Sequence, residues 1–224
     1  MTPDVYDILN YPERGRNTAL ERTFKHLGVE LIPFGKNRIS GIPILGKGWS
    51  SLVVYGIFDN RKVAVKIQRK DSHRISLARE ASILRTTNDY GIGPLLYVEG
   101  NKFLVLEYAD GDPVGESTMK KEHILTFLEQ CHQLDLLNID HGQIQGGKHL
   151  LVGRKSWIID FEKAGYRTPK NVTSLISELF LKKTVSAQRM CIHYGVDPEE
   201  LMDAAHNYKR DFDIGGIVNA VFSR

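Results

Sequence analysis

Only two cysteines, Cys131 and Cys191, occur in the 224 residues. Neither has a Cys or His neighbour at metal-ligand spacing, which argues against a zinc site. Cys131 lies in an apolar helical pattern and reads as a core residue. So few cysteines fit a reducing cytoplasm. Long apolar runs are missing too. The first ten residues carry Asp4 and Asp7 and do not read as a signal peptide. Stretches such as Leu150–Val152 fall far short of membrane length. A strong charge of either sign is also lacking. The formal net charge of +3 suits an anionic ligand but gives no basic stripe for a nucleic-acid duplex. No internal repeat or low-complexity tract is present.

What is there is an ordered succession of elements. Asn17–Gly28 predicts a helix, with Leu20, Phe24 and Leu27 at helical spacing and Gly28 as its stop. From Glu30 to Lys66 the pattern becomes β. Residues 51–58 and 62–67 flank Asp59-Asn60, two residues that tolerate the left-handed conformations of a tight hairpin. Residues 72–88 predict a helix, with Leu77, Ala81 and Leu84 on its apolar stripe. Strands at 95–98 and 102–107 follow. Asp110-Gly111-Asp112-Pro113 then marks a hinge. Beyond it, a helix is expected near 119–137, capped by Ser117 or Thr118. A polar loop spans Asp140–His149, and a hairpin joins 150–152 to 157–160. The rest is helical, with Asp197-Pro198-Glu199-Glu200 a clear helix start. Strands come first, one helix interrupts them, and helices dominate after the hinge. That order describes an α+β protein in two lobes.

Two segments of the first half carry chemistry. Ile44–Val53 holds Gly46 and Gly48 in a strand-turn-strand setting, where backbone N–H groups can approach a phosphate without a Cβ in the way. The run Gly41–Lys47 matches the start of a Walker A loop. However, Gly48 stands where a Ser or Thr would hold magnesium, and β-like residues follow in place of a helix. In the second segment, Val63-Ala64-Val65-Lys66, the lysine sits in an apolar strand. A buried ammonium needs an anionic partner, and the next helix offers Glu80. In the second half, Trp157-Ile-Ile-Asp160-Phe161-Glu162 places a carboxylate just after an apolar strand.

Together these segments resemble the protein kinase signature. The resemblance covers roughly residues 40–180. It implies a two-lobed kinase-like fold: an N-terminal helical extension (1–40), a β-rich N-lobe with one main helix (41–109) and a reduced helical C-lobe (110–224). It also implies ATP with Mg2+ or Mn2+ as cofactors. Gly46, Lys47, Gly48, Ser50, Ser51, Val53 and Ala64 would line the nucleotide, and Lys66, paired to Glu80, would bind the α- and β-phosphates. The backbone of Glu107, Tyr108 and Ala109 would meet the adenine. Asp160 would hold the metal with its carboxylate oxygens. Only ten residues separate Asp160 from the helix near Asn171, and no Ala-Pro-Glu segment occurs. That brevity makes the chain similar to compact atypical kinases such as the RIO kinases. It is most similar to a predicted archaeal Ser/Thr protein kinase family. The implied activity is transfer of the γ-phosphate of ATP to a protein hydroxyl.

The catalytic loop departs from the family. Against His-Gly-Asp-Leu-x-x-x-Asn, His141 and Gly142 match. Gln143 falls where the catalytic Asp belongs, and Lys148 where a second metal ligand, an Asn, belongs. Gln cannot act as a base, and a charged Lys cannot ligate a metal. Three readings follow. The enzyme is active with altered parts, with Lys148 replacing a metal charge and Asp140 or His141 touching the nucleophile. Alternatively it is a nucleotide-binding pseudokinase, or a small-molecule kinase of the aminoglycoside or choline type. A cationic small molecule would need an acidic pocket, for which Asp110, Asp112, Glu116 and Asp140 are available. His149 reads as a satisfied histidine at a strand start.

Overall fold

The computed structural model describes residues 4–73, 76–117 and 119–223. It is a mixed α+β fold that divides into two compact units. One is Met1–Asn88 with Pro94–Ala109, and the other is Asp89–Gly93 with Asp110–Arg224. Among the described residues no helix is long and apolar enough to cross a membrane.

The first unit is built on an antiparallel sheet. A 3-10 turn (Val5–Ile8) and helix α1 (Thr18–Leu27) precede strands β1 (Val29–Ile32), β2 (Asn37–Ile39), β3 (Ile42–Ile44), β4 (Gly46–Lys47), β5 (Ser51–Phe58) and β6 (Arg61–Gln68). Helix α2 (Ala78–Asn88) and strands β7 (Leu96–Glu99) and β8 (Phe103–Glu107) complete it. The main sheet runs β1-β5-β6-β8-β7, with β4 pairing on β5, while β2 and β3 form a separate hairpin. Local sequence explains the joints. Asn17 accepts the Leu20 N–H at the start of α1, and Gly28 ends it at φ 74. Asp59 and Asn60 turn the β5–β6 hairpin at φ 50 and 57.

Alternation along the strands gives this sheet two different faces. Val54, Val65 and Val105 stand in register on one face. They join a single core with Val5, Ile8, Leu9, Phe24, Val29 and Leu31. The first forty residues therefore complete the core of this unit. The other face carries Val53, Ala64, Lys66 and Leu104.

Two expected elements differ. The helix expected from residue 72 begins at Ala78, and residues 74–75 lie outside the described residues. Ser117 does not cap the next helix. Its hydroxyl donates to the Asp112 and Pro113 carbonyls, closing a local turn instead, and Lys120 is the N-cap residue. Thr118 lies outside the described residues.

The second unit contains strands β9 (Asp112–Pro113), β10 (Ile139–Asp140), β11 (Leu150–Val152), β12 (Ser156–Ile158) and β13 (Gly165–Tyr166). Its helices are α3 (Lys121–Leu136), α4 (Asn171–Ile176), α5 (Val185–Tyr194), α6 (Pro198–Asp211) and α7 (Gly215–Phe222). β12, β11 and β9 form one small antiparallel sheet, and β10 pairs with β13. Helix α3 buries Ile124, Phe127, Leu128, Cys131 and Leu134, and packs on α4 and β12. The stripe Val172, Leu175, Ile176, Leu179 and Phe180 is buried as its spacing predicts, although the helix widens to a π turn over Ser177–Leu181. Asp197 caps α6 and Pro198 is its first residue.

Candidate functional site

In the first unit, Lys66 is the focus. Its Nζ lies 2.7 Å from Glu80 Oε1, with the two side chains 5% and 1% exposed. Strand β6 aims Lys66 at α2, and the helix supplies the anion that the buried ammonium requires. Val53 is the register partner of Lys66 on β5, and Ala64 shares the same face two residues earlier. Three residues assigned to nucleotide binding thus stand together.

The glycine loop is a tight hairpin. Gly48 N–H donates to the Ser51 carbonyl at 2.8 Å, and β4 pairs Gly46 with Val53. A Cβ on Gly46 or Gly48 would meet its neighbours only at ordinary van der Waals distance, 3.5 Å or more. Neither glycine is required by the local packing, which leaves both consistent with close approach by a ligand. Ser50 and Ser51 are buried, while Trp49 at the tip is 94% exposed. Lys47 Nζ and the Arg69 guanidinium each lie 5.0 Å from the centre of the Tyr11 ring. Arg69 also donates to the Gly48 carbonyl at 2.8 Å and forms a two-pronged pair with Asp71. That pair holds the Arg69 pKa above its usual value and the Asp71 carboxyl below its own. Sequence reasoning did not single out Tyr11 or Arg69, whose signal is purely spatial.

At the end of β8, Glu107 N–H donates to the Leu95 carbonyl and Tyr108 N–H to the Lys62 carbonyl. Both donors are committed to backbone carbonyls, so neither Glu107 nor Tyr108 offers its N–H to an adenine. Tyr108 instead packs edge-on against Tyr55, beside Phe34.

In the second unit, the loop after β10 is held from below. Asp135 on α3 accepts from Asn171 N–H, Asn171 Nδ2, Val172 N–H and the Tyr208 hydroxyl, at 2.6–3.2 Å. Burial raises the Asp135 carboxyl pKa, against the pull of those four donors. Asn171 in turn donates to the Ile139 carbonyl and accepts the His141 N–H at 2.8 Å. This fully buried asparagine fixes the loop backbone, and sequence reasoning had noted only its helix.

His141 is entirely buried. Its Nε2 faces the Ile159 carbonyl at 3.0 Å and its ring meets Phe161 edge-on at 4.9 Å. Desolvation, reinforced by the neighbouring His149, pushes its pKa down to about 4. Asp140 is buried and bound by Arg167 Nε at 2.7 Å. It is the anion of a structural pair. Contact between a nucleophile and either Asp140 or His141 therefore has no support, because both are enclosed and engaged in holding the loop.

Gly142 explains the glycine after the histidine. It adopts φ 77, and a Cβ there would stand 2.4 Å from Arg167 Nη2. Gly142→Ala is expected to displace Arg167 from Asp140 and cost about 1–3 kcal/mol of stability. Chemical denaturation measures this, and an unchanged midpoint would remove the packing role. Gly146 and Gly147 form a second turn, clasped by Glu178, whose Oε2 accepts the Gly146 N–H at 2.7 Å. Glu178 is itself paired with Lys182.

Asp160 follows β12 in the left-handed region, at φ 64 and ψ 70, with its side chain about a third exposed. Phe161 next to it is buried and anchors the turn. His149 Nε2 lies 3.3 Å from Asp160 Oδ2, and His149 Nδ1 lies 3.2 Å from the Gln143 carbonyl. The histidine is satisfied, as expected, but it also ties Gln143 to Asp160. Gln143 Oε1 is a buried atom with no partner among the described residues. Lys148 is exposed.

Among the described residues, no cluster of three or more His, Cys, Asp or Glu could hold a metal. A lone carboxylate such as Asp160 fits instead a hard ion that takes most of its oxygens from phosphates and water. Of the four acids available for a cationic pocket, Asp140 pairs with Arg167 and Asp110 with Arg154.

No family model matches the chain. An uncharacterized protein of Methanocaldococcus jannaschii, MJ1211, is 34% identical over 118 residues, covering 47% of this chain and 99% of that protein. On that likeness, the chain belongs to the family of the uncharacterized archaeal protein MJ1211.

Proposed function

We propose that this chain is a minimal, atypical protein kinase-like enzyme that binds ATP and transfers its γ-phosphate to a protein hydroxyl. The observation that carries the reading is the buried Lys66–Glu80 pair on the sheet face shared with Val53 and Ala64. A buried ion pair adds little net stability after its desolvation cost, and binding of phosphate by the lysine is a reason for the chain to carry one. In this reading Lys66 neutralises the α- and β-phosphates. Apart from Gly48, whose N–H is held by the Ser51 carbonyl, the glycine hairpin would offer backbone N–H groups, and Asp160 is the residue that would hold a divalent cation. The metal would supply electrostatic stabilisation of the transferring phosphoryl group. Gln143 would orient the accepting hydroxyl. Phosphoryl transfer depends chiefly on positioning and charge neutralisation, so a side-chain base is not indispensable, and the hydroxyl proton would pass to a phosphoryl oxygen or to water.

One specific observation favours a second reading, a nucleotide-binding pseudokinase. The base position holds an amide, and the adjacent carboxylate, Asp140, is enclosed and paired. Labelled ATP separates the two. An active enzyme incorporates phosphate into itself or a protein, and incorporation disappears in Asp160→Asn. A pseudokinase shows nucleotide-dependent thermal stabilisation without incorporation. Absence of any stabilisation by ATP with Mg2+ or Mn2+ would defeat both readings. A small-molecule kinase for cationic substrates is disfavoured, since two of its four candidate acids are already paired.

A further inference from the structure

We propose that Tyr11, in the segment before α1, is a positioning residue that holds the glycine hairpin in its nucleotide-binding shape through Arg69. This rests on the nucleotide-binding reading above and extends it to a residue outside the motif. The Tyr11 backbone is fixed on both sides. Its N–H donates to the Ile8 carbonyl and its carbonyl accepts from the Lys70 N–H, each at 3.0 Å. Ile8 and Leu9, just before it, are buried in the core of the first unit. The ring is thereby held in place, and it meets two cations. Lys47 Nζ, on β4, and the Arg69 guanidinium, just after β6, each stand 5.0 Å from its centre.

Arg69 grips the hairpin tip twice. Its N–H donates to the Ser50 carbonyl and its Nη1 to the Gly48 carbonyl, each at 2.8 Å. The Gly48 N–H is bound to the Ser51 carbonyl, so both backbone polar groups of Gly48 are engaged. The Gly48–Trp49 peptide is trans, and in a trans peptide the N–H points opposite the C=O. Tying down the Gly48 carbonyl therefore also sets the direction of the Trp49 N–H. That is one of the donors the hairpin would turn toward phosphate. Two glycines leave the hairpin backbone free to take many shapes, so one shape has to be selected from outside it. A long arginine can do this only if it is itself held, because ordering its side chain costs entropy. Asp71 takes Nε and Nη2 at 2.8 and 2.6 Å, and the Tyr11 ring attracts the guanidinium charge. The same ring holds the ammonium of Lys47, which belongs to the hairpin itself.

The test uses the full chain, with calorimetry for binding of ATP and Mg2+ and NMR for amide exchange. In Tyr11→Leu, ATP should bind about tenfold more weakly, as loss of two cation–π contacts implies. The amides of Gly48 and Arg69, whose hydrogen bonds close the hairpin, should exchange about tenfold faster. The amide of Val65, on the central strand β6, should exchange as in the wild type. Tyr11→Phe, which keeps the ring, should retain wild-type affinity and exchange. Equal acceleration at Val65 would make Tyr11 a general stabiliser and overturn the assignment. Wild-type affinity in Tyr11→Leu, or an equal loss in Tyr11→Phe, would also overturn it and leave the nucleotide reading standing. If the wild type binds no ATP, the nucleotide reading fails and the proposal with it. Should Tyr11→Leu not fold, Arg69→Lys decides, since it keeps the charge but loses the planar fork. Unaltered ATP affinity in that variant overturns the proposal.

Discussion

Lys66→Met is expected to lower stability by about 3–5 kcal/mol and to abolish stabilisation by ATP. The substitution removes the ammonium from a pair whose side chains are 5% and 1% exposed, leaving the Glu80 charge buried without it. The double variant Lys66→Met/Glu80→Leu separates the two effects. Replacing both members of a buried ion pair by apolar side chains of similar volume is often neutral or better. The double variant should regain most of the lost stability but none of the response to nucleotide. Urea midpoints measure the first quantity, and thermal shifts with ATP and Mn2+ the second. If the double variant again responds to ATP, Lys66 does not bind phosphate. If the single variant is as stable as the wild type, the pair is not the buried interaction described.

Acid should loosen the second unit through His141. Burial holds its imidazole neutral, with a pKa near 4 against an ordinary 6.5. Below pH 6.5 the unfolded chain takes up a proton that the folded chain refuses. The contribution is therefore fully present above pH 6.5 and lost progressively down to about pH 4. That gap corresponds to about 3 kcal/mol. Asp135 has the opposite sign. Its carboxyl pKa is raised by burial, so its share of stability is present at low pH and is lost as pH rises through the raised value. Because the unfolded carboxyl titrates near 3.8, this opposing trend runs upward from about pH 4, overlaps the range of His141 and offsets part of its effect. Urea midpoints followed from about pH 7.5 to pH 4.5 should fall steadily, and His141→Gln should flatten the slope. A pH slope that His141→Gln leaves unchanged would contradict the buried neutral imidazole.

Much of the local architecture was legible from residue order. Asn17 and Gly28 bracket a helix because one side chain caps the first N–H groups and the other residue accepts a left-handed backbone. Asp59-Asn60 turns a hairpin for the same conformational reason. The pairing of Lys66 with Glu80 was also foreseeable, since an ammonium in an apolar strand demands an anion and the next helix held one. The loop was less legible. Asp140 stands out in sequence only as a possible contact for the nucleophile, and its partner Arg167 lies twenty-seven positions later. Nothing local marks Asn171 as the residue that fixes the His141 backbone. His149 gives no hint in sequence that it joins Gln143 to Asp160.

The amino-acid order alone determined the α+β succession of elements, the turns and caps, and which few charged residues would be forced into apolar surroundings. These depend on backbone preferences and on the cost of burying charge, both properties of short segments. Only the tertiary structure decided which of the loop's polar groups face inward and which partner each one meets. Polar contacts spanning eleven to seventy-three positions leave no periodic trace. They are set by where packing of the apolar stripes brings the elements to rest.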